Sequence, residues 1–384
     1  MTLKRILPIP TKSFFLLGPR ATGKSTWLRD QVKPDFMIDL LRSRDFRDYS
    51  TDLNLLREVI EANPKYKVVV IDEIQKLPEL LDEVHSLIFD FKNKIQFILT
   101  GSSARKLKKN NVNLLAGRAL VRNFHQFSYL EIKEQFDLVP CLKFGMLPEV
   151  WNLETEEEKK DYLFSYVDTY LKEEIQQEAA VRNLPSYIKF LEHFSLRNSQ
   201  VINLQNISSE IGVARTTIVG YLEILEQTLL GFKIAPLHLK AKVKEVSTPK
   251  FYFFDTGVVR GLSKNLDQDL EDQKGSLFET YVLQEIRTYS DYFQARFEIH
   301  YWGTPGQNEV DFVLSKGRIR VGIEVKSSRV WSKDFNRGLK TLIDAGKIRD
   351  AYGVYLGQEV IQKDGVLVYP IKKFVEALFQ GKIL

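Results

Sequence analysis

The sequence predicts an α/β chain of several domains: a three-layer parallel-sheet domain in front, a helical connector, a helix-turn-helix segment and a closing α/β domain. Three observations carry this. In the first third, apolar runs of strand length alternate with helix-favouring stretches, the pattern of a parallel sheet with helices on both faces. In the middle, two helical stretches flank Gly212, and near the end "EVDFVL" and "IRVGIEVKSS" read as a hairpin. At 384 residues the chain is longer than one hydrophobic core usually sustains, so two or three domains are expected.

Apolar residues make up 44% and charged residues 27%, ordinary for soluble globular protein. The apolar runs are too short to cross a bilayer, and "MTLKRILPIPTK" has neither the apolar core nor the small-residue cleavage site of a secretory leader. A cytoplasmic protein without a membrane partner is expected. The lone Cys141 excludes an intramolecular disulfide and a cysteine-based metal cluster, leaving a small buried side chain. A net charge of +5 permits a nucleic-acid partner without demanding one. Arg105, Lys106, Lys108 and Lys109 form one basic cluster and Lys240, Lys242, Lys244 and Lys250 another; each reads as a solvated surface loop or as phosphate contacts.

Phe14 to Leu17 is an apolar run of buried-strand length, followed by "GPRATGKST" and a helix-like Thr26-Trp27-Leu28. Strand, loop and helix are the context that a phosphate-cradling loop needs. Gly18 and Gly23 let backbone N–H groups turn onto phosphate oxygens, and the helix adds the positive end of its dipole. Lys24 would reach the β- and γ-phosphates and Ser25 would ligate Mg²⁺. The expected nucleotide contacts are Gly18, Pro19, Arg20, Ala21, Thr22, Gly23, Lys24, Ser25 and Thr26.

Val68 to Ile71 is a second buried-strand run and ends in Asp72-Glu73, at the carboxyl edge where open α/β sheets bind ligands. Asp72 would hold the Mg²⁺ with Ser25, and Glu73 would orient or deprotonate the attacking water; two helix-capping acids are the plainer alternative. A third strand, Ile95 to Leu99, ends in Thr100-Gly101-Ser102-Ser103. Thr100 or Ser102 would sense the γ-phosphate or the lytic water, although hydroxyls also cap helices. In "LLAGRAL", Arg118 would stabilise charge at the nucleotide, within the subunit or across to a neighbour in a homo-oligomer. A plain surface arginine fits the same spacing.

Together "GPRATGKST", "VVVIDEIQKLPELLDEV", "FILTGSSARKL", "LLAGRA" and "GMLPEV" resemble the prokaryotic AAA-superfamily P-loop ATPases that carry a C-terminal domain of unknown function with a restriction-endonuclease-like, PD-(D/E)XK core. The resemblance spans nearly the whole chain. It implies an AAA-type three-layer ATPase domain, ATP as the nucleotide, and a winged helix between motor and tail. "RNFHQFSYLEI" departs from the family's Pro-Leu-Ser-Phe-type segment, which blurs the edge of the ATPase domain near residue 135.

Glu154 to Ala180 is acidic and helix-favouring, with Tyr162, Val167, Tyr170, Leu171 and Ile175 at helical spacings; it reads as a lid or connector whose aromatic stripe packs into a core. "NLQNISSEIGVARTTIVGYLEILEQTLL" gives a helix, a turn at Gly212 and a second helix with Ile218, Leu222 and Leu225 on one face, the layout of a helix-turn-helix. Arg215, Thr216 and Thr217 open the second helix, the end that enters a major groove in DNA-binding examples. "LKAKVKEVSTPK" and Phe251 to Phe254 would form the wing. Glu223 and Glu226 on that second helix suit protein docking or dimerisation equally.

In the closing region "GSLFETYVLQEI" is helix-like, Phe297 to Trp302 strand-like and Gly303 to Gln307 a turn. With Lys316-Gly317 as the hairpin turn, Ser315 faces Arg318 and Asp311 faces Gly322. Glu324 then shares the face of Asp311 at the diagonal, about 7–8 Å away, and Lys326 shares it too. Glu279, on the preceding helix, is the natural fourth member. Glu279, Asp311, Glu324 and Lys326 match the acid, acid, acid-x-lysine pattern of restriction-endonuclease-like nucleases. Mg²⁺ on Glu279, Asp311 and Glu324, with Lys326 positioning a water, would give phosphodiester hydrolysis. A salt-bridged hairpin explains the same residues without catalysis.

The predicted domains are residues 1–135, the ATPase domain; 136–190, a helical lid or connector; 191–262, a winged helix; and 263–384, a restriction-endonuclease-like domain. The predicted function is Mg²⁺-dependent ATP hydrolysis coupled to action on nucleic acid, DNA before RNA, through the winged helix and a nuclease-like tail. The alternative is an ATP-switched DNA- or protein-binding module with a catalytically silent tail.

Overall fold

The computed structural model describes residues 3–102, 119–171, 183–238, 245–305 and 308–384. Arg118, Ser103, Ile175, the cluster from Arg105 to Lys109, and Lys240, Lys242 and Lys244 lie outside the described residues. So do Gly306 and Gln307 of the expected turn. No helix among the described residues is long and apolar enough to cross a membrane. The chain divides into two compact units, the first formed by residues 1–127, 147–149 and 227–230 and the second by the remainder.

In the first unit, strands β1 (Phe14–Leu17), β2 (Phe36–Asp39), β3 (Val68–Asp72), β4 (Gln96–Gly101) and β5 (Leu120–Asn123) form one sheet in the order β2-β3-β4-β1-β5. Every neighbouring pair is parallel. A parallel sheet covered on both faces makes its central strands continuous apolar runs; Phe14, Phe15, Val69, Val70, Phe97 and Ile98 are fully buried. Helix α1 (Lys24–Trp27) runs on through Val32 in wider turns. Helices α2 (Ser43–Thr51), α3 (Leu55–Ala62) and α4 (Leu80–Asp90) complete the covering. Leu56 and Ile60 of α3 and Leu80, Val84 and Leu87 of α4 join Phe15, Val69 and Phe97 in one core. Because β4 lies between β1 and β3, the strand carrying Thr100 separates the loop strand from the acid strand.

The second unit starts with helices α5 (Leu138–Phe144) and α6 (Glu156–Ser165). A capping box between Thr155 and Glu158 opens α6, giving orphan N–H groups side-chain partners, and helical turns continue to Leu171. Helix α7 (Leu184–Ser195) precedes the expected helix pair, α8 (Leu204–Ile211) and α9 (Arg215–Gln227). Gly212 ends α8 at φ 80°, a left-handed conformation that favours glycine. Ile218, Leu222 and Leu225 are buried on one face of α9. Strands β6 (Gly231–Ile234) and β7 (Lys250–Phe253) then pair antiparallel. One expectation fails here: Lys250, grouped by sequence with a basic surface cluster, is 3% exposed and turns inward. Cys141, on α5, is buried as expected.

Beyond α10 (Thr256–Leu262), the 19-residue helix α11 (Lys274–Tyr292) packs on a six-stranded mixed sheet. Its strands are β8 (Glu298–Gly303), β9 (Glu309–Lys316), β10 (Ile319–Lys326), β11 (Asp350–Tyr355), β12 (Ile361–Lys363) and β13 (Val366–Pro370), ordered β12-β13-β11-β10-β9-β8. Helix α12 (Arg337–Asp344) lies against β9, where a Cβ on Gly338 would stand 2.1 Å from the carbonyl oxygen of Glu309. Only glycine allows that approach. The β9–β10 register differs from the sequence expectation: Ser315 pairs with Arg320, not Arg318, and Gly322 with Val313, not Asp311. The turn residues are Gly317 and Arg318, with Gly317 at φ 61°, so the left-handed residue takes the first turn position, where a two-residue hairpin loop of type II′ needs glycine. A shift of two keeps side-chain parity. Asp311 and Glu324 therefore still share a face, and they stand directly opposite instead of diagonally.

Candidate functional site

In the first unit the loop after β1 closes on itself. Gly23 sits at φ 90°, Thr22 donates its hydroxyl to the Pro19 carbonyl at 2.7 Å, and a Cβ on Gly18 would lie 2.3 Å from the Phe124 carbonyl oxygen. Lys24 is buried; its Nζ donates to the carbonyl oxygens of Gly18 at 2.7 Å and Pro19 at 3.0 Å. Pro19 is buried, Arg20 half-buried, and Thr26 points out to solvent on α1. Of the expected nucleotide residues, the loop and Lys24 are thus brought together, and Thr26 stands apart.

The two acids at the end of β3 are held differently. Ser25 donates to Asp72 Oδ2 at 2.7 Å, and Thr100 donates to Asp72 Oδ1. The same Thr100 hydroxyl accepts the Glu73 backbone N–H at 3.0 Å. Glu73 has a left-handed backbone, φ 59°, which turns its carboxylate away from that of Asp72. Its Oε2 accepts from Ser102 Oγ at 3.0 Å and from Gln75 Nε2, and Gln75 Nε2 also reaches Ser102 Oγ at 3.1 Å. Thr100 and Ser102 were alternatives in the sequence; in the fold each has its own acid. Ser25, Thr100, Ser102 and Gln75 are neutral donors, and Arg20 Nε donates to Ser102 Oγ at 3.4 Å. A glycine-bearing loop that opens a helix, a lysine, and a hydroxyl hydrogen-bonded to a carboxylate form a set that fits a nucleotide triphosphate with Mg²⁺.

Two contributors had little sequence signal. Arg5 is buried, donating to the Thr22 carbonyl at 2.8 Å and to the His125 and Gln126 carbonyls at 2.5 and 3.1 Å. Its guanidinium lies 4.2 Å from the Phe124 ring centre. It thereby ties the loop to the segment after β5, a contact between residues more than a hundred positions apart. Gln75 was hidden in "IDEIQK", where only the αL turn at Glu73 brings it back to the acid.

The second acidic centre lies in the second unit, where α11, β7, β9 and β10 meet. Lys250 Nζ bonds Glu279 Oε1 at 3.1 Å and Glu309 Oε1, and lies 3.9 Å from Asp311 Oδ1. Tyr252 OH donates to the same Glu279 oxygen at 2.5 Å. Asp311 Oδ2 accepts the Val325 N–H at 2.7 Å and stands 3.8 Å from Lys326 Nζ. Lys326 Nζ bonds Glu324 Oε1 at 2.5 Å. The other oxygen, Glu324 Oε2, is buried without a hydrogen-bond partner among the described residues.

Burial pushes Glu279 up to about 7, against the Lys250 charge and with a further push from Asp311. Glu324 is raised well above the ordinary carboxylate range by burial and by the neighbouring Asp311 charge. Burial alone would lower the two lysines, but the surrounding carboxylates hold both above their ordinary value. The carboxylates favour the charged form of both ammoniums, and burial favours the protonated form of Glu279 and Glu324.

The sequence brought Glu279, Asp311, Glu324 and Lys326 together, and the fold does as well. It adds Lys250, Tyr252 and Glu309, which sequence reasoning missed because Lys250 looked like part of a surface run. A divalent ion needs several open oxygens on one point. Here Lys250 takes Glu279, Glu309 and Asp311, and Lys326 takes Glu324. Among the described residues, no group of three or more His, Cys, Asp or Glu is placed to hold a metal ion. The tail residues do not fit a metal in this arrangement.

Comparisons with known proteins divide the chain in three. Residues 10–133 match the family described as an AAA domain. Residues 135–269 and 274–374 match two domains of unknown function, DUF8612 and DUF4143. An uncharacterized protein of Mycobacterium tuberculosis is 23% identical over 353 residues, 89% of this chain and 76% of its own. One of Methanocaldococcus jannaschii is 24% identical over 308 residues, covering 73% of this chain and 67% of its own. Among solved structures, the replication initiator DnaA bound to AMPPCP and single-stranded DNA is 16% identical, covers 57% of this chain and 83% of its own, with a TM-score of 0.27. The family match and the loop geometry define the class: the first unit carries an AAA-superfamily ATPase domain. That match covers residues 10–133, which hold the phosphate-loop residues Gly18, Gly23, Lys24 and Ser25.

Proposed function

We propose that the first unit hydrolyses ATP with Mg²⁺ and that the second unit binds nucleic acid through α8 and α9, its nuclease-like tail serving to bind and not to cut. The observation that carries the ATPase reading is the division of labour between adjacent acids, Asp72 on Ser25 and Glu73 on Ser102 and Gln75. Lys24 and the loop N–H groups would hold the β- and γ-phosphates, and Ser25 and Asp72 would hold the metal. Mg²⁺ supplies neutralisation of the phosphate oxygens. Glu73 Oε2 takes the proton of the attacking water, kept in place by Ser102 and Gln75. Thr100, bonded to the Asp72 carboxylate and the Glu73 N–H, positions both acids. An ATPase assay tests this: Lys24→Ala and Glu73→Gln are each expected to lose turnover, and undiminished turnover in either overturns the reading.

Exposed Arg215 and Thr216 at the start of α9 support the nucleic-acid reading, in which α8, α9, β6 and β7 act as a winged helix within residues 191–262. Binding to duplex DNA should weaken with salt by about 0.9 in log–log slope per phosphate contacted. Equal binding by Arg215→Ala would sink it. The silent-tail reading is favoured over cleavage by the two lysines that take the acids of residues 263–384. In a homo-oligomer Arg118 would serve a neighbour's nucleotide; sedimentation that stays monomeric with and without ATP would remove that role.

A further inference from the structure

We infer that Lys250 is a built-in cation of the tail's acidic centre, occupying the focus of Glu279, Glu309 and Asp311 and keeping a latent divalent-metal site closed. The inference stands apart from the ATPase reading, because every residue in it belongs to the second unit.

Three carboxylates from two elements converge on one nitrogen. Glu279 comes from α11, Glu309 and Asp311 from β9, and all three carboxylates face Lys250 Nζ. The lysine is fixed from both sides of its backbone, pairing with Ile234 in the β6–β7 ladder and bridging to Val201. Its ammonium also lies 5.5 Å from the Tyr301 ring centre. Such a placement is unlike a surface lysine folding back onto nearby acids, since its side chain is 4% exposed. A divalent ion seeking the same carboxylates would share their focus with a fixed positive charge, and repulsion at that range lowers affinity by orders of magnitude.

What lies beside the lysine is suited to a metal once it is removed. Asp311 and Glu324 stand opposite on β9 and β10, and Glu324 Oε2 is a buried carboxylate oxygen with no hydrogen-bond partner. Glu279, Asp311 and Glu324 supply hard oxygen donors of the kind Mn²⁺ or Mg²⁺ takes. Lys250→Met keeps the length of the side chain and removes its charge. It opens the focus of Glu279, Glu309 and Asp311 to an ion, with Glu324 Oε2 beside it and Lys326 still on Glu324 Oε1.

The test is Mn²⁺ binding, followed by the loss of free-ion electron paramagnetic resonance signal, on the full chain without nucleotide. Wild type and Lys250→Met are compared with each other and with both carrying Glu324→Gln, so that sites in the first unit cancel. The expected result is no Glu324-dependent site in wild type and one in Lys250→Met, tighter by at least about a hundredfold. A Glu324-dependent site of similar affinity in wild type overturns the inference, as does a folded Lys250→Met chain that gains none. If Lys250→Met does not fold alone, the thermal transition with Mn²⁺ decides. Recovery that Glu324→Gln abolishes supports the latent site, and no recovery in Mn²⁺, for Lys250→Met and Lys250→Gln alike, overturns it.

Discussion

The acidic centre of the front sheet and that of the tail both place carboxylates from β-strands beside a lysine, and they differ in what touches those carboxylates. Asp72 and Glu73 are held by Ser25, Thr100, Ser102 and Gln75, all neutral. Asp311, Glu279 and Glu324 are held by the ammoniums of Lys250 and Lys326. Lys24, the front lysine, spends its donors on backbone carbonyls instead. Neutral donors orient a carboxylate without supplying an opposite charge, so a cation and a phosphate can still be drawn in. An ammonium meets the charge as well. The same residue types therefore build a receptive site in one unit and a self-satisfied one in the other.

The sharpest break of this contrast is Lys250→Met. Removing one partner of a buried ion pair strands the other, at a cost of about 3–5 kcal/mol. Denaturant unfolding of the second unit should show that loss at neutral pH and recover part of it in mild acid, where keeping a proton on Glu279 and Glu324 costs less relative to the unfolded chain. A stability unchanged at neutral pH would show the lysine to be dispensable and the contrast empty.

Lys24→Ala comes next. Loss of a preorganised donor to the phosphates should lower ATP turnover by on the order of 10²–10³, while the unfolding of the second unit stays as in wild type. Glu73→Gln should cut turnover by about 10² with nucleotide binding retained, as judged by equilibrium dialysis with ATP. Equal loss of binding would move Glu73 from proton transfer to structure.

The smallest expected effect concerns Glu285, a buried tail acid that meets no ammonium among the described residues. Its Oε1 accepts from the Tyr129 N–H at 2.7 Å and Tyr281 OH at 2.9 Å, and Oε2 has no hydrogen-bond partner. Burial pushes it up to about 8 from an ordinary 4.5. Between those values the unfolded chain ionises while the folded chain keeps its proton. The stability present below the ordinary value is lost as pH rises through that window. Glu285→Gln should flatten the decline by about 1–3 kcal/mol. A decline as steep in the variant would place its origin elsewhere, with Glu279 the next to test.

Local pattern carried the front site. Strand, glycine loop, Lys24 and Ser25 are contiguous, and Asp72-Glu73 ends an apolar run of strand length, so each element announces its own chemistry. What could not be read was which hydroxyl serves which acid. That depends on β4 lying between β1 and β3 and on the left-handed turn at Glu73. Arg5, whose partners lie at Thr22, His125 and Gln126, had no local signature at all.

In the tail, parity survived an error. The turn was placed one residue early, and the register moved by two, which preserves the face each side chain takes. Glu279, Asp311, Glu324 and Lys326 were therefore grouped correctly from sequence, although Asp311 and Glu324 prove to be opposite neighbours.

By itself the sequence determined the parallel-sheet front unit, its phosphate loop, the helix pair around Gly212 and the shared face of Asp311, Glu324 and Lys326. Those follow from periodicity and from residues adjacent in the chain. Only the tertiary structure decided what each carboxylate faces. Lys250 is 29 residues from Glu279 along the chain, and nothing local distinguishes it from a solvated lysine. Its inward turn is a matter of burial: the folded chain excludes water from these acids, and a buried charge must find an opposite one.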